Sequence, residues 1–323
     1  MLSNKITRVT GIAAAAALAT LGLTACDDEE VDVDAFPERN IEIYVGFGAG
    51  GGSDLFARQV QQGIEDLHDV SVQVVNMEGA GGANAIREVH SQAADGHTWY
   101  ADYSFAVLAG QGDLGEDGDE MFKPVARFQD EISHLMVMPD RFESWEDFEA
   151  EGQEETIRLG GVGTAGFAEF ISREFTAESG LNITYVPFEN AGEQLAALQS
   201  GNIDAAMEEL AAALDYIDSG EIISIMAMND ERLDEYPDIP ASVEMGIDVT
   251  TGASRGIMVH GETDDELIDI IEEMLEEVYE SEDYKEFEAF SLLDHRPGWM
   301  GRDEYTEYTN EIIDVTRDLE AGD

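Results

Sequence analysis

Hydrophobic positions along the chain switch repeatedly between the two-residue period of a strand and the spacing of a helix. Ile41, Ile43, Val45 and Phe47 alternate with less apolar residues, and a helical pattern that includes Leu55 follows them. The same succession recurs to the end of the sequence. This alternation predicts α/β layers built around largely parallel sheets.

The individual elements follow from the same pattern. Strands are predicted over 41–47, 70–76, 97–102, 134–138, 157–160, 183–188, 205–207, 222–228 and 256–260. Helices are predicted over 54–67, 84–93, 144–150, 168–179, 192–199, 264–280 and 302–320. A chain of 323 residues with 43% hydrophobic residues can build a large core, and this length is typical of two domains.

A glycine-rich segment, GFGAGGGSD, follows the first predicted strand. Gly48 and Gly50 permit positive φ and a close approach of a ligand, and Ser53 or Asp54 is expected to cap the next helix. Free N–H groups at such a helix start favour an anion. Glycine-rich turns also follow three later strands, at 79–82, 161–166 and 189–192. Since ligands of open α/β sheets bind beyond the carboxyl ends of strands, these turns predict a site for a carboxylate.

The first 25 residues have the pattern of a secretory leader. Lys5 and Arg8 precede an apolar stretch, and no acidic residue occurs before Asp27. The stretch is shorter than the roughly 20 residues of a membrane-spanning helix. Leu-Thr-Ala-Cys matches a lipobox, so we expect cleavage after residue 25 and lipid modification of Cys26, the only cysteine. The alternative is an ordinary signal peptide. Residues 26–35 are interpreted as an acidic tether.

Charge narrows the possible partners. The chain has 72 acidic and 16 basic residues and a net charge of −56, which would repel nucleic acid. In the segment 262–290 the carboxylates fall between apolar residues at helical spacing, as on an exposed helix face. We interpret this composition as the solvated surface of a halophile-type protein over an ordinary core.

Enzymatic chemistry finds little support in the sequence. Ser53 and Asp54 are adjacent, but the six histidines are scattered without a recognisable partner motif, and no His-x-x-His pair occurs. The first glycine segment can also be read as Gly-x-Gly-x-x-Gly of a nucleotide-binding enzyme. No Gly-Lys-Ser/Thr and no suitably placed acidic residue accompany it. We therefore predict no catalytic residue, metal or cofactor, and keep the nucleotide-using enzyme as the weaker alternative.

The order of the motifs resembles the extracytoplasmic solute receptors of the tripartite tricarboxylate transporter family, the TctC or Bug proteins. The similar segments are 46–54 with Ala57 and Arg58, then 79–82, 95–98, 123–126, 186–188, 201–204 and 236–240. They span nearly all of the chain after the leader.

The resemblance implies a type II periplasmic-binding-protein fold, with two lobes, hinge strands and a ligand cleft between the lobes. One lobe is expected to hold residues 36–137 and 257–323, and the other residues 138–256. Such a protein would be a lipid-anchored, monomeric receptor facing the periplasm or the exterior. It would bind a small di- or tricarboxylate or a related organic anion and deliver it to integral-membrane permease subunits. A sensor subunit with the same fold is the alternative.

The resemblance also implies the ligand-binding residues. A ligand carboxylate would sit between the first glycine loop and the Gly-Ala-Gly-Gly loop, held mainly by backbone N–H groups. The first lobe would contribute Phe47, Gly48, Ala49, Gly50, Ser53, Asp54, Gly79, Ala80 and Gly81. The second lobe would contribute Thr164, Phe188, Asn190, Ala191 and Glu208, and the last member is Arg255.

Two of these residues have a simpler interpretation as well. Glu208 would meet a ligand amine or hydroxyl, or else is a solvated or capping acid. Arg255 would pair with a second ligand carboxylate, or else forms a surface salt bridge. Ala49, Glu189 and Ser254 depart from the family's usual proline, lysine and aromatic residue, so citrate cannot be carried over as the ligand.

Overall fold

A computed structural model describes residues 33–164 and 166–322. The predicted leader, Cys26 with its predicted lipid, and most of the predicted acidic tether lie outside the described residues.

Five strands form the first sheet. They are β1 (Ile41–Val45), β2 (Val72–Asn76), β3 (Thr98–Asp102), β4 (Phe122–Glu131) and the last strand of the chain, β10 (Ala253–His260). Their order is β2-β1-β3-β10-β4. β1 runs parallel to both of its neighbours, whereas β10 is antiparallel to β3 and to β4.

The other five strands form the second sheet. They are β5 (Ser133–Val137), β6 (Ile157–Val162), β7 (Ile183–Phe188), β8 (Ala205–Glu209) and β9 (Ile223–Ala227), in the order β7-β6-β8-β5-β9. β6 is parallel to β7 and β8, and β5 is antiparallel to β8 and β9. β5 thus belongs to the second sheet, although the lobe boundary expected after residue 137 leaves it with the first lobe.

Ten α-helices connect and cover the strands. They are α1 (Gly52–Leu67), α2 (Ala83–His90), α3 (Phe105–Gln111), α4 (Trp145–Gly152), α5 (Phe167–Ser179), α6 (Ala191–Gln199), α7 (Leu210–Ser219), α8 (Asp265–Glu280), α9 (Glu282–Phe290) and α10 (Arg302–Gly322); the count covers the described residues.

The sequence pattern missed four of these elements. β4 carries polar residues on buried positions, among them Arg127 and Gln129, so its alternation is hidden. α3 is buried over nearly its whole length and therefore lacks the polar face that marks a surface helix. The helices α7 and α9 were also absent from the prediction. β10 begins at Ala253 instead of residue 256, which places Arg255 inside a strand.

Apolar side chains fix the lobes around the cleft. In the first lobe, Ile43 of β1 packs with Phe56 and Val60 of α1, all fully buried. In the second lobe, buried residues of β5, β6 and α5 form one cluster that also takes in Ile312 and Ile313 of α10. Only Ile132 separates β4 from β5, so the two sheets are joined there by a very short connection.

Candidate functional site

The first glycine loop joins β1 to α1 through backbone that side chains tolerate poorly. Gly50 has φ +85°, and Gly51 is the N-cap residue of α1. The expected cap by Ser53 or Asp54 is wrong, because no side chain caps this helix. Asp54 instead accepts hydrogen bonds from the Gly50 N–H (2.9 Å) and from Arg58 Nε (2.9 Å). Asp54 therefore stabilises the loop from its buried side.

The charge of Asp54 is stabilised in this position. Burial alone would raise its pKa, but the hydrogen bonds from Arg58 and from the Gly50 N–H hold the pKa below the ordinary value. Asp54 and Ser53 are both buried, whereas Ala49, Gly50 and Gly51 are exposed. The loop therefore presents backbone to the outside, and the two side chains named as ligand donors lie beneath it.

The second glycine loop lies against the first. Gly79, Ala80, Gly81 and Gly82 all have positive φ, between +51° and +121°. A Cβ on Gly46 would come within 2.7 Å of the Gly82 Cα, so the two loops touch backbone to backbone and glycine is required. These loops are brought together as the sequence suggested, while contact with a ligand stays a prediction.

A polar link and a charge accompany this loop pair. The Asn76 side-chain amide donates a hydrogen bond to the Phe47 carbonyl (3.0 Å), which ties the end of β2 to the first loop. The exposed carboxylate of Glu78 lies so close to Gly48 that a Cβ there would be 3.1 Å from Glu78 Oε1. The loops thus supply N–H groups, with one acidic side chain at their edge.

An aromatic series crosses from the first loop to the second lobe. Phe47 meets Tyr103, which follows β3, with ring centroids 5.2 Å apart, and Tyr103 meets Phe167 of α5 at 5.7 Å. Tyr103 is buried, and a Cβ on Gly166 would approach it to 3.2 Å. No sequence motif indicated Tyr103, since a single tyrosine after a strand has no distinctive pattern.

The second-lobe loops carry the remaining predicted residues. Thr164 is exposed and follows Gly163, whose carbonyl accepts a hydrogen bond from the Tyr185 hydroxyl (2.7 Å). Asn190 caps α6, because its side-chain oxygen accepts from the Glu193 N–H (3.0 Å). Ala191 is the first residue of that helix.

Phe188 ends β7 half-buried. A ligand contact of any of these second-lobe loop residues, Thr164, Phe188, Asn190 and Ala191, stays a prediction.

Arg255 lies at the junction of the two lobes. Its side chain is 5% exposed and forms ion pairs with Glu131 at the end of β4 and, at 3.3 Å, with Glu209 at the end of β8. The guanidinium carbon lies 5.1 Å from the centre of the Tyr103 ring. Nη2 faces Gly52 so closely that a Cβ there would be 2.5 Å away. The interpretation of Arg255 as the partner in a surface salt bridge is therefore excluded, because its guanidinium is buried.

The two glutamates that end β8 are largely shielded from solvent, unlike most carboxylates on the surface of an acidic protein. Glu208 is 8% exposed, one oxygen accepts a hydrogen bond from the Glu209 N–H (3.0 Å), and the other has no partner among the described residues. Burial raises the pKa of both carboxyls, and in Glu208 the charge of Glu209 adds to the effect. The interpretation of Glu208 as a solvated acid is wrong.

Behind this pair lies a small polar cavity, lined among others by Glu131, His134, Glu209 and His295. His134 stands opposite Glu208 in the β5–β8 pairing and shares a hydrogen bond with the Ser224 hydroxyl (3.0 Å). Burial lowers the pKa of His134 to about 4, so the ring is neutral at neutral pH. No group of three metal-ligating side chains occurs within residues 33–164 and 166–322.

Glu131 and Glu209 are functional candidates that sequence reasoning missed. Among 72 acidic residues nothing distinguishes a buried glutamate from an exposed one, and neither follows a glycine motif. One sequence feature could have indicated that Glu208 and Glu209 are buried, because they directly follow the apolar residues AAM in the same strand. Across the described part of the chain, no helix is both long and apolar enough to cross a membrane.

Comparisons with known proteins agree with this architecture. Protein BugT of Bordetella pertussis is 26% identical over 274 residues, which cover 82% of each chain. Among solved structures, MatC from Rhodopseudomonas palustris with bound malate has a TM-score of 0.75 at 22% identity, covering 88% of this chain and 99% of its own. An R. palustris protein with adipate has a TM-score of 0.74 at 19% identity, covering 88% and 97%.

These likenesses confirm the predicted fold, two α/β lobes of the periplasmic-binding-protein kind. The sequence profile of the "Tripartite tricarboxylate transporter family receptor", TctC, matches residues 56–298, about three quarters of the chain. The resemblance inferred from the glycine motifs is thereby confirmed, and the protein belongs to the TctC family of solute receptors, which are not enzymes.

Proposed function

We propose that this chain is an exported receptor that binds a small organic carboxylate, a di- or tricarboxylate or a related organic anion, between its two lobes. It delivers the ligand to the integral-membrane permease subunits of a tripartite tricarboxylate-type transporter. Cys26 carries the lipid that holds the receptor at the membrane. Lobe closure buries the ligand and forms the rim that the permease reads.

The observation that carries the proposal is the pair of glycine loops. Their backbones touch at Gly46 and Gly82, and the exposed loop at Gly50 leads into the start of α1. Backbone N–H groups at such a position bind a carboxylate without a dedicated cation. The related structures with malate and adipate support this choice of ligand class, since both ligands are dicarboxylates.

A binding screen tests the ligand class. We expect isothermal titration calorimetry in high salt to find at least one small organic acid that binds at micromolar concentration. Failure of the whole class of mono-, di- and tricarboxylates to bind would overturn the proposal, and tight binding of NAD or ATP would replace it with the nucleotide alternative.

A charge placed in the loop tests the location. Ala49→Asp adds a carboxylate to the exposed first loop, and we expect it to weaken ligand binding at least tenfold by repulsion. Ala289→Asp adds the same charge to an exposed position of α9 and should leave binding unchanged. Equal effects of both variants would place the ligand elsewhere.

The lipid anchor needs a separate experiment. Mass spectrometry of the protein from its host should find an N-terminal diacylated Cys26, and Cys26→Ser should release the protein from the membrane fraction. An unmodified cysteine, or a mature N-terminus at another residue, would contradict the anchor without affecting the proposed ligand site.

A further inference from the structure

We propose that Glu209 sets the affinity of the cleft for a second ligand carboxylate, because it occupies Arg255, the buried cation that lies against Gly52 at the end of the first glycine loop. The inference rests on the proposed function, in which the glycine loops hold the first carboxylate. Glu209 would then be a specificity-determining residue that competes with the ligand from inside the protein.

The contacts of Arg255 leave a ligand no direct access. Nη1 pairs with Glu131, Nη2 donates to Glu209 Oε1 at 3.3 Å, and Gly52 packs so closely that a Cβ there would be 2.5 Å from Nη2. The arginine side chain is 5% exposed, and its Nε has no partner among the described residues. A ligand carboxylate can form the two parallel bonds that guanidinium favours only if one glutamate moves away.

Of the two glutamates, Glu209 is the one that can leave. Glu131 is 13% exposed and belongs to the first sheet, as Arg255 does, since β4 and β10 pair directly. Glu209 is 23% exposed and belongs to the second lobe. Separation of the lobes would therefore break the Arg255–Glu209 pair and keep the Arg255–Glu131 pair.

The charge balance explains why this exchange costs free energy. The carboxylates of Glu131 and Glu209 both pair with Arg255, and the charge of Glu208 lies next to that of Glu209. The other groups at this cluster are the Gln129 amide, the hydroxyls of Tyr103 and Tyr284, the neutral ring of His134, and Arg296, which donates to the Glu131 carbonyl. His295 reaches the same cavity from the segment after α9. A ligand carboxylate adds a further negative charge to a buried cluster, which favours protonation of the displaced glutamate. Burial already raises the pKa of Glu209.

The test compares succinate with butyrate, which replaces one carboxylate by a methyl group. We expect calorimetry on the full-length protein at pH 8 to show that the Glu209→Gln variant binds succinate at least tenfold more tightly than the wild type does. The affinity for butyrate should stay the same within twofold. Glu286→Gln, at an exposed position of α9, is the matched control and should change neither affinity.

A second readout needs no variant. Titration of the wild type in two buffers of different ionisation enthalpy should show uptake of close to one proton per succinate bound and little uptake with butyrate. The wild-type affinity for succinate should accordingly rise as the pH is lowered from 8 to 6.

The outcomes separate the two proposals. If succinate binds but Glu209→Gln leaves its affinity unchanged or lowers it, or if no proton is taken up, Glu209 is only a structural partner of Arg255. An equal gain for butyrate would mean that Glu209 acts on lobe closure instead of on the second carboxylate, and overturns the inference as well. If neither compound nor any other organic acid binds, the proposed function fails and this inference with it.

Discussion

Asp102 shows how much a single buried carboxylate depends on its neighbours. One oxygen accepts N–H bonds from Ser104 (3.1 Å) and Phe105 (2.9 Å), and the other accepts the hydroxyl of Tyr305 (2.9 Å). Burial nevertheless raises the pKa of Asp102 to about 6. The group fixes the turn after β3 that carries Tyr103, and it links this turn to α10.

We expect Tyr305→Phe to lower the free energy of unfolding by about 1–3 kcal/mol, because one oxygen of a buried carboxyl loses its only donor side chain. Urea denaturation at fixed pH and salt measures the change. Tyr216→Phe, on α7, removes a hydroxyl that has no hydrogen-bond partner among the described residues and should cost far less. Equal losses would show that the Tyr305 hydroxyl contributes little.

His134 should make stability depend on pH. Burial lowers its pKa from 6.5 to about 4, so between these values the folded state binds fewer protons than the unfolded state. The free energy of unfolding therefore falls as the pH is lowered through this window, by about 3 kcal/mol in total.

His134→Asn removes this dependence, since asparagine does not titrate. The measurement is the difference in unfolding free energy between the two proteins at several pH values from 7 to 4. The buried carboxyls of Asp102, Glu174, Glu208 and Glu209 have raised pKa values that act in the opposite direction, and because both proteins contain them, their contributions cancel in the difference. A difference that stays constant with pH would contradict the assignment.

At the scale of single residues, the sequence predicted those with an unusual backbone conformation. It missed those whose role depends on burial and on neighbouring side chains. Gly46 to Gly52 and Gly79 to Gly82 are visible because few other residues allow such turns. Arg255 was found through a family motif. Glu131, Glu209 and Tyr103 depend on burial and on partners more than 40 residues away in the chain, which local spacing does not encode.

Among the elements, α3 and α10 pack so closely that their contact needs a small residue. Gly110 of α3 is buried, and a Cβ there would lie 2.5 Å from the Thr316 Cβ and 2.8 Å from the Ile313 carbonyl oxygen of α10. Since Ile313 also belongs to the apolar cluster of the second lobe, this contact bears on both lobes.

Gly110→Ala should therefore destabilise the protein by roughly 1–3 kcal/mol, because α10 must shift away from α3. Thermal or urea unfolding gives the value. Gly192→Ala is the matched control, at an exposed position of α6 where alanine is the better helix former, and should be neutral or slightly stabilising. A Gly110 variant as stable as the wild type would mean that the two helices adjust freely.

Elements with a clear amphipathic or alternating pattern were predicted to within a few residues. β1, β7, α1 and α8 are examples, since each buries one side and exposes the other or ends in glycine turns. α3 and β4 were missed because burial on all sides in α3, and buried polar side chains in β4, remove the periodic signal. The element order sufficed for the fold class, but the pairing of β10 between β3 and β4 requires contacts that are remote in sequence.

For the whole molecule, the net charge of −56 should dominate the response to salt. Exposed carboxylates repel one another in the compact state, and the Debye length falls from about 10 Å at 0.1 M to about 3 Å at 1 M. We expect the Tm to rise by several degrees between 0.1 M and 2 M KCl. A Tm independent of KCl would contradict the interpretation of the surface as halophile-type.

The edge-on contact between Tyr103 and Phe167 has a practical consequence. Tyr103 follows a strand of the first sheet and Phe167 opens a helix of the second lobe, with 5.7 Å between their centroids. Ring currents act over only a few ångströms, so a fluorine atom on Phe167 would have a chemical shift that depends on the neighbouring tyrosine ring. The fluorine chemical shift of such a labelled receptor would therefore report the distance between the two lobes, and fluorine NMR could follow cleft opening without an attached dye.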